Sequence, residues 1–239
     1  MMTELTLPII GYMHSSYKEK FGIPRQPNLV QVESYIEMLA PYNDVLAFEG
    51  IEAFSHLWLV WQFHDNKNPE KTQFRPQVRP PRLGGNKKIG VFATRSMYRP
   101  SPIGLSVVRL KCVKKEGKSV RVYVTGSDLL DGTPIVDIKP YIHYSDAVID
   151  AESGYAQDEP KRKSVIWSDR AIKQKQQLLT SGKLSVQTAQ ELEAVLSLDP
   201  RPAYQDDEAR VYKMKFAAVD IAFTVGETTV NITDVELET

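Results

Sequence analysis

The sequence predicts a mainly β N-terminal domain closed into an antiparallel β-barrel, followed by a small α+β C-terminal domain. Two patterns carry this prediction. The first half of the 239 residues holds six or seven strand-like runs and one short helical stretch. It lacks the strand–helix alternation of a parallel sheet. From about residue 160 the period changes, and two capped helical patterns precede three alternating runs. The expected division is a barrel over residues 1–145, a linker or arm over 146–163 and the C-terminal domain over 164–239.

Leu5 to Tyr12 is apolar and is expected as a first strand. A polar loop follows, with the rigid core Gly22-Ile23-Pro24-Arg25-Gln26-Pro27. Val32, Tyr35, Ile36 and Leu39 recur at helical spacing, so a short amphipathic helix ending at Pro41 is expected. Val45 to Gly50 reads as a strand. Leu57 to His64 is almost wholly apolar and is expected to be covered on both faces. Asn66 to Lys88 is a long basic loop broken by Pro69, Pro76, Pro80 and Pro81. Ile89 to Ala93 reads as a strand. Leu105 to Val113 and Ser119 to Gly126 form a hairpin, and Ile135 to Ile138 a further strand. In the second half, Ser168 caps a helix to about Leu179, and Ser185 caps another with an Ala189, Leu192, Val195, Leu196 stripe. Three strands follow, at Val211–Phe216, Val219–Val225 and Thr229–Val235.

Composition narrows the function. The chain is 42% hydrophobic and 25% charged, ordinary for a globular protein. No run of about 18 apolar residues predicts a membrane span. The N-terminus lacks a secretory pattern, and Cys112 has no partner for a disulfide, so a cytoplasmic location is expected. The four histidines and single cysteine have no metal-ligand spacing, and no Gly-x-Gly-x-x-Gly or P-loop pattern occurs. Net charge is zero but segregated. Lys67 to Arg121 holds fifteen Lys and Arg against two acids, and Val122 to Pro160 holds eight acids against one base. Such a basic section suits a polyanionic partner.

Two stretches stand out chemically. Arg95-Ser96-Met97-Tyr98-Arg99-Pro100-Ser101-Pro102-Ile103-Gly104-Leu105 is stiffened by two prolines and carries two arginines. It reads either as a cradle for an anionic or planar ligand or as a Pro-rich loop with solvated arginines. Asp128, Asp131 and Asp137 cluster around the Asp131-Gly132 turn. They read either as turn-capping aspartates or as a site for a cationic or hydrogen-bonding ligand.

Four segments appear in the same chain order: Ser55-His56-Leu57-Trp58-Leu59, the Arg95–Leu105 loop, the Asp128 to Tyr141 stretch (DLLDGTPIVDIKPY), and Asp199-Pro200-Arg201-Pro202-Ala203-Tyr204. Together they resemble the TsaA-like family, and within it the bacterial TrmO tRNA methyltransferases, over essentially the whole chain. The resemblance implies an S-adenosylmethionine-dependent enzyme on a β-barrel, agreeing with the missing glycine fingerprint. It implies methylation of N6 of N6-threonylcarbamoyladenosine at position 37, beside the anticodon of threonine tRNA. It also implies a homodimer with the cofactor near the subunit interface, and a C-terminal domain that helps grip tRNA.

Carried onto this chain, the implied cofactor contacts are Pro24, Arg25, Gln26 and Pro27; His64 and Asp65; Arg95 and Leu105; and Leu130, Asp131, Gly132 and Thr133. Arginine suits a carboxylate through a bidentate pair. Positioning for an in-line methyl transfer can contribute about 7–11 kcal/mol. The acceptor nitrogen must also lose a proton, for which His64, Asp65 and Asp131 are the candidate bases. Arg75, Arg79, Arg82, Arg99 and Arg201 are candidate tRNA contacts, and no metal is expected. Two other classes compete: a non-catalytic RNA-binding barrel, and a methyltransferase with a non-tRNA acceptor.

Overall fold

The computed structural model describes residues 5–65, 74–84, 86–202, 205 and 207–238. In chain order the first domain contains β1 (Gly11–His14), β2 (Glu33–Met38), β3 (His56–Gln62), a two-residue ribbon of β4 (Gln77–Val78) with β5 (Ile89–Gly90), β6 (Ile103–Glu116), β7 (Ser119–Thr125) and β8 (Pro134–Pro140). Six of these close into a barrel in the order β1-β2-β7-β6-β3-β8, with β8 pairing back onto β1 and every pair antiparallel. Closure removes the unpaired strand edges of an open sheet.

Alternation builds the barrel core. Ile36 and Met38 of β2, Leu57, Leu59 and Trp61 of β3, Val108 of β6, and Val120, Val122 and Val124 of β7 point inward and are buried. The intervening positions of β3 are only half-buried, so the strand is not covered on both faces as its composition suggested. Trp58 and His56, on that outer face, instead meet Tyr141.

Several local expectations change. The helix expected over Val32–Leu39 is strand β2. Val32 and Ile36 are four apart, a spacing that fits a helix face and a strand face equally, and pairing with β1 and β7 decides for the strand. The strand expected over Val45–Gly50 is a 3-10 turn, Val45–Phe48, capped by Asp44, whose side chain accepts from the Leu46 amide at 3.0 Å. Of Ile89–Ala93, two residues pair and Val91–Ala93 form another 3-10 turn. The first strand starts at Gly11, not Leu5. Asn66 to Gln73 of the basic loop, with Pro69, lie outside the described residues.

A short helix α1 (His143–Asp146) lies where the first domain gives way to the arm. The second domain has β9 (Ser164–Trp167), α2 (Asp169–Thr180), α3 (Val186–Leu196), β10 (Tyr212–Phe216), β11 (Val219–Val225) and β12 (Thr229–Leu237). Both helices start where their serine caps predict. The Ser168 hydroxyl accepts from the Ala171 amide at 3.2 Å, and that of Ser185 from the Thr188 amide at 2.9 Å. The sheet has four strands, not three, in the order β10-β11-β12-β9. The additional strand, β9, lies parallel to β12.

The two domains share a seam. Tyr17, Val30 and Val32, from the barrel half, are buried in the C-terminal core with Phe216, Met214 and Leu192. Tyr17 bridges Phe216 in antiparallel fashion, and the Ala217 amide donates to the Ser16 carbonyl at 2.8 Å. A Cβ on Gly22, which sits at φ +91°, would fall 2.1 Å from the Met214 sulfur. The loop preceding Pro24 is therefore pressed directly onto the second domain.

Candidate active site

One end of the barrel opens into a pocket of about 530 Å³. Three segments distant in sequence make its walls: the Ile23–Pro27 loop, the exit of β3 from Trp61 to Asp65, and the Arg95–Leu105 loop. Asp128, Leu130 and Thr133 complete it from the β7–β8 connection.

The floor is aromatic and rigid. Trp61 packs edge-on against Phe63, with ring centroids 4.4 Å apart. Gly104 lies opposite the indole, and a Cβ there would come within 2.3 Å of the ring, so only glycine lets the two strands approach this closely. The Trp61 Nε1–H donates to Ser106 Oγ at 3.0 Å, and the Ser106 hydroxyl donates to Asp128 Oδ1 at 2.7 Å. The indole, hydroxyl and carboxylate thus form one directed chain ending at the pocket wall. Burial pushes the Asp128 carboxyl up to about 6, against the opposing pull of the Ser106 bond and the Arg95 charge.

The rim is charged. Arg95 Nη1 donates to Gln26 Oε1 at 2.6 Å, which ties two of the three loops together. Arg99 Nη1 donates to the Thr94 carbonyl at 3.0 Å. The Lys20 ammonium bonds the Asp65 carbonyl and lies 3.3 Å from its carboxylate. Arg25 Nη2 donates to the Arg201 carbonyl of the second domain at 3.3 Å. His64 is exposed at the edge.

Most of the residues named from the sequence as cofactor contacts therefore meet around one cavity: Pro24, Arg25, Gln26, Pro27, His64, Asp65, Arg95, Leu105, Leu130 and Thr133. Asp131 and Gly132 do not line it. The Asp131 carboxylate accepts from the Ser15 amide and bonds Lys18 Nζ, both at 2.9 Å, while the Gly132 amide bonds the Met13 carbonyl at 2.8 Å. These two residues hold the turn that carries Leu130 and Thr133. Asp137 faces away, paired with Lys139 at 2.7 Å.

The expected tRNA contacts divide similarly. Arg75, Arg79 and Arg82 are exposed, with Arg82 bonded to the Asp158 carbonyl of the arm. Arg99 lines the pocket. Arg201 takes a scaffold position instead: it is buried, and its Nε and Nη2 each donate to Asp199 at 2.9 Å. Ala203 and Tyr204 of that segment lie outside the described residues.

Sequence reasoning did not single out Trp61, Ser106 or the exposed pair Phe74 and Phe92. Those two rings lie 6.0 Å apart, beside Arg75 and three residues ahead of Arg95. Asp128 was noted only as one of three turn aspartates. The inward parity of β6 and the apolar run of β3 were the signals available for Ser106 and Trp61, but only strand register brings them to Asp128.

Comparison with known proteins identifies relatives over both domains. Residues 12–147 match the tRNA-methyltransferase O N-terminal domain, and residues 160–238 match the TrmO C-terminal domain. The tRNA (adenine(37)-N6)-methyltransferase of Escherichia coli K12 is 45% identical over 208 residues, 87% of this chain and 86% of that one. The putative S-adenosylmethionine-dependent methyltransferase RcsF of Pseudomonas aeruginosa is 45% identical over 223 residues, 92% of each chain. A crystal structure of TrmO from Pseudomonas aeruginosa aligns with a TM-score of 0.78 at 36% identity, covering 98% of this chain and 99% of that one. In its barrel and in its C-terminal domain alike, the chain belongs to the tRNA-methyltransferase O family.

Proposed function

We propose that this protein uses S-adenosylmethionine to methylate N6 of N6-threonylcarbamoyladenosine at position 37 of threonine tRNA, giving the N6-methyl derivative. The observation that carries the reading is the barrel-end pocket, which combines an aromatic floor, a cationic rim and a half-buried carboxylate. Family membership and the names of the relatives support an adenosine at position 37 as acceptor and a sulfonium methyl donor.

The residues present fit that donor. A pocket of about 530 Å³ suits a nucleoside-sized ligand. Trp61, Phe63 and Leu105 offer apolar surface to a purine. Arg95, already oriented by Gln26, suits the amino-acid carboxylate through a bidentate pair. Asp65 suits an ammonium or ribose hydroxyl, and the backbone of the Leu130–Thr133 turn can hydrogen-bond polar edges. When bound, the donor supplies an activated methyl group. The pocket's own contribution is to align the acceptor with it and exclude water.

Outside the pocket, Arg75, Arg79 and Arg82 suit phosphates, and the stacked Phe74 and Phe92 suit unpaired bases of an anticodon loop. An Arg-to-Ala change at any of the three should weaken tRNA binding and reduce its salt slope by about one unit. Phe92→Ala should cost about 1–3 kcal/mol of tRNA binding, as for loss of one base stack. Filter-binding titrations at several salt concentrations check both. Homodimerisation and a cytoplasmic setting belong to the same reading, drawn from the family, and sedimentation velocity checks the first.

The deciding experiment is nucleoside mass spectrometry after incubation with S-adenosylmethionine and two tRNA pools, one carrying threonylcarbamoyladenosine and one lacking it. A methyl gain confined to the modified pool is expected. Methylation of both pools would overturn the dependence on threonylcarbamoylation. Methylation of neither, with demonstrated donor binding, would point to a different acceptor.

A further inference from the structure

We infer that Asp128 is the proton acceptor of the methyl transfer, its Oδ2 taking the hydrogen from the acceptor nitrogen as the new N–C bond forms. The inference rests on the function proposed above and assigns a role within it.

The carboxylates that share the pocket end of the barrel are not equivalent. Asp65 is paired with Lys20, and Asp131 with Lys18 and the Ser15 amide. Each of these two carboxylates is therefore already engaged by an ammonium group. Asp128 has no such partner. Oδ1 accepts from the Ser106 hydroxyl, and among the described residues no side chain donates to Oδ2. Trp61 Nε1–H holds the Ser106 hydroxyl in turn, so the proton on that hydroxyl is directed at Asp128 and not at a ligand.

Burial raises the basicity most; the Ser106 hydrogen bond and the Arg95 charge oppose it by favouring the ionised form. The buried Tyr17 phenol lies behind and is driven well above its usual range by burial first and by Asp128 second. Lys20 pairs with Asp65, and Arg25, Arg99 and the His64 imidazole complete the polar lining of the pocket. Asp128 is thus more basic than a solvated carboxylate yet still mostly ionised at neutral pH, the range in which general bases work best.

The step balances as follows. The acceptor N–H proton passes to Asp128 Oδ2, and the nitrogen electron pair forms the N–CH₃ bond. The S–CH₃ bond breaks, its electron pair stays on sulfur, and the sulfonium charge is lost. The proton on Asp128 then leaves to solvent.

The test is single-turnover methyl transfer by the full chain, saturated in S-adenosylmethionine and in tRNA carrying threonylcarbamoyladenosine, across pH 4.5–8. Wild-type enzyme is the control: if it does not methylate, the function reading fails and the assignment of the base is not what has been tested. Given wild-type activity, the rate should fall below about pH 6 or somewhat lower, because a bound cation favours the carboxylate. Asp128→Asn should lower the rate roughly 100-fold or more, abolish that acid limb, and leave donor affinity by calorimetry within about threefold. A variant rate within about threefold of wild type, or a loss recovered by raising the donor concentration, overturns the inference. Should Asp128→Asn not fold, Ser106→Ala serves. It removes the hydrogen bond that lowers the Asp128 pKa, so the acid limb should move to higher pH, and an unmoved limb overturns the inference.

Discussion

The barrel and the C-terminal domain each hold a half-buried aspartate just beyond the end of an element, and they treat it in opposite ways. Asp199, after α3, accepts from Arg201 Nε and Nη2 at 2.9 Å and lies 3.6 Å from Lys163. Burial alone would raise its pKa, but the Arg201 bonds and charge, with Lys163, bring it below the ordinary value. Asp128, after β7, receives one neutral hydroxyl and rises to about 6. A compensated carboxylate is a brace, and here it shapes the segment whose backbone carbonyl holds Arg25 at the pocket rim. One that is only partly compensated costs stability, and its position in a pocket wall connects that cost to chemistry.

The largest expected effect that could break the comparison is at the brace. Asp199→Asn keeps a residue that tolerates the positive φ of 52° but removes the charge opposite a buried guanidinium. It should cost about 3 kcal/mol at pH 7, the low end for breaking a buried pair. Because the folded carboxyl is depressed, that contribution is fully present above its unfolded value of about 3.8, begins to fall there, and is lost as pH drops on through the lower folded value. Urea unfolding of both proteins at pH 7 and at stepwise lower pH values under 3.8 checks this.

Asp128→Asn should act in the reverse direction. A carboxyl raised from 3.8 to about 6 makes the native state lose stability as pH climbs between those values. A shift of about two units, discounted for partial exposure, is roughly 2 kcal/mol. The variant should therefore be more stable than wild type by about that amount above pH 6 and equal to it below pH 4. A less stable variant at pH 7 would show that Asp128 is a brace as well.

Gly104→Ala sharpens the barrel side alone. The added methyl meets an indole already held by Ser106, so the barrel should lose about 1–2 kcal/mol as overpacking is relieved by displacing Trp61. Donor affinity should fall with it, whereas Gly117→Ala in the open β6–β7 turn should leave donor affinity unchanged. On the C-terminal side, Ser168→Ala removes the α2 cap and should cost about 1 kcal/mol with methyl transfer unchanged. Thermal melts and calorimetric titrations report both.

The two regions also differ in how far the sequence disclosed them. The helices of the C-terminal domain are local objects, and their serine caps and apolar stripes mark them without knowledge of the rest of the chain. The β6–β7 hairpin is similarly local. Strand β2 was misread because Val32 and Ile36 satisfy either period, and β9 was missed because its partner, β12, lies more than sixty residues away. The loops around the pocket were recognisable as motifs, but their convergence is a product of barrel closure. Asp128 shows the limit most clearly. As a residue it resembles Asp131 and Asp137, and only the register of β6 brings Ser106 and Trp61 to it while Lys18 goes to Asp131.

The most direct test of this contrast is a carbon-detected NMR titration of the aspartate carboxyls, with Asp128→Asn and Asp199→Asn used for assignment. Asp128 should titrate near 6 and Asp199 below 3.8 in the same sample. If both titrate together near 4, burial does not set Asp128 apart, and the account of the pocket carboxylate is wrong.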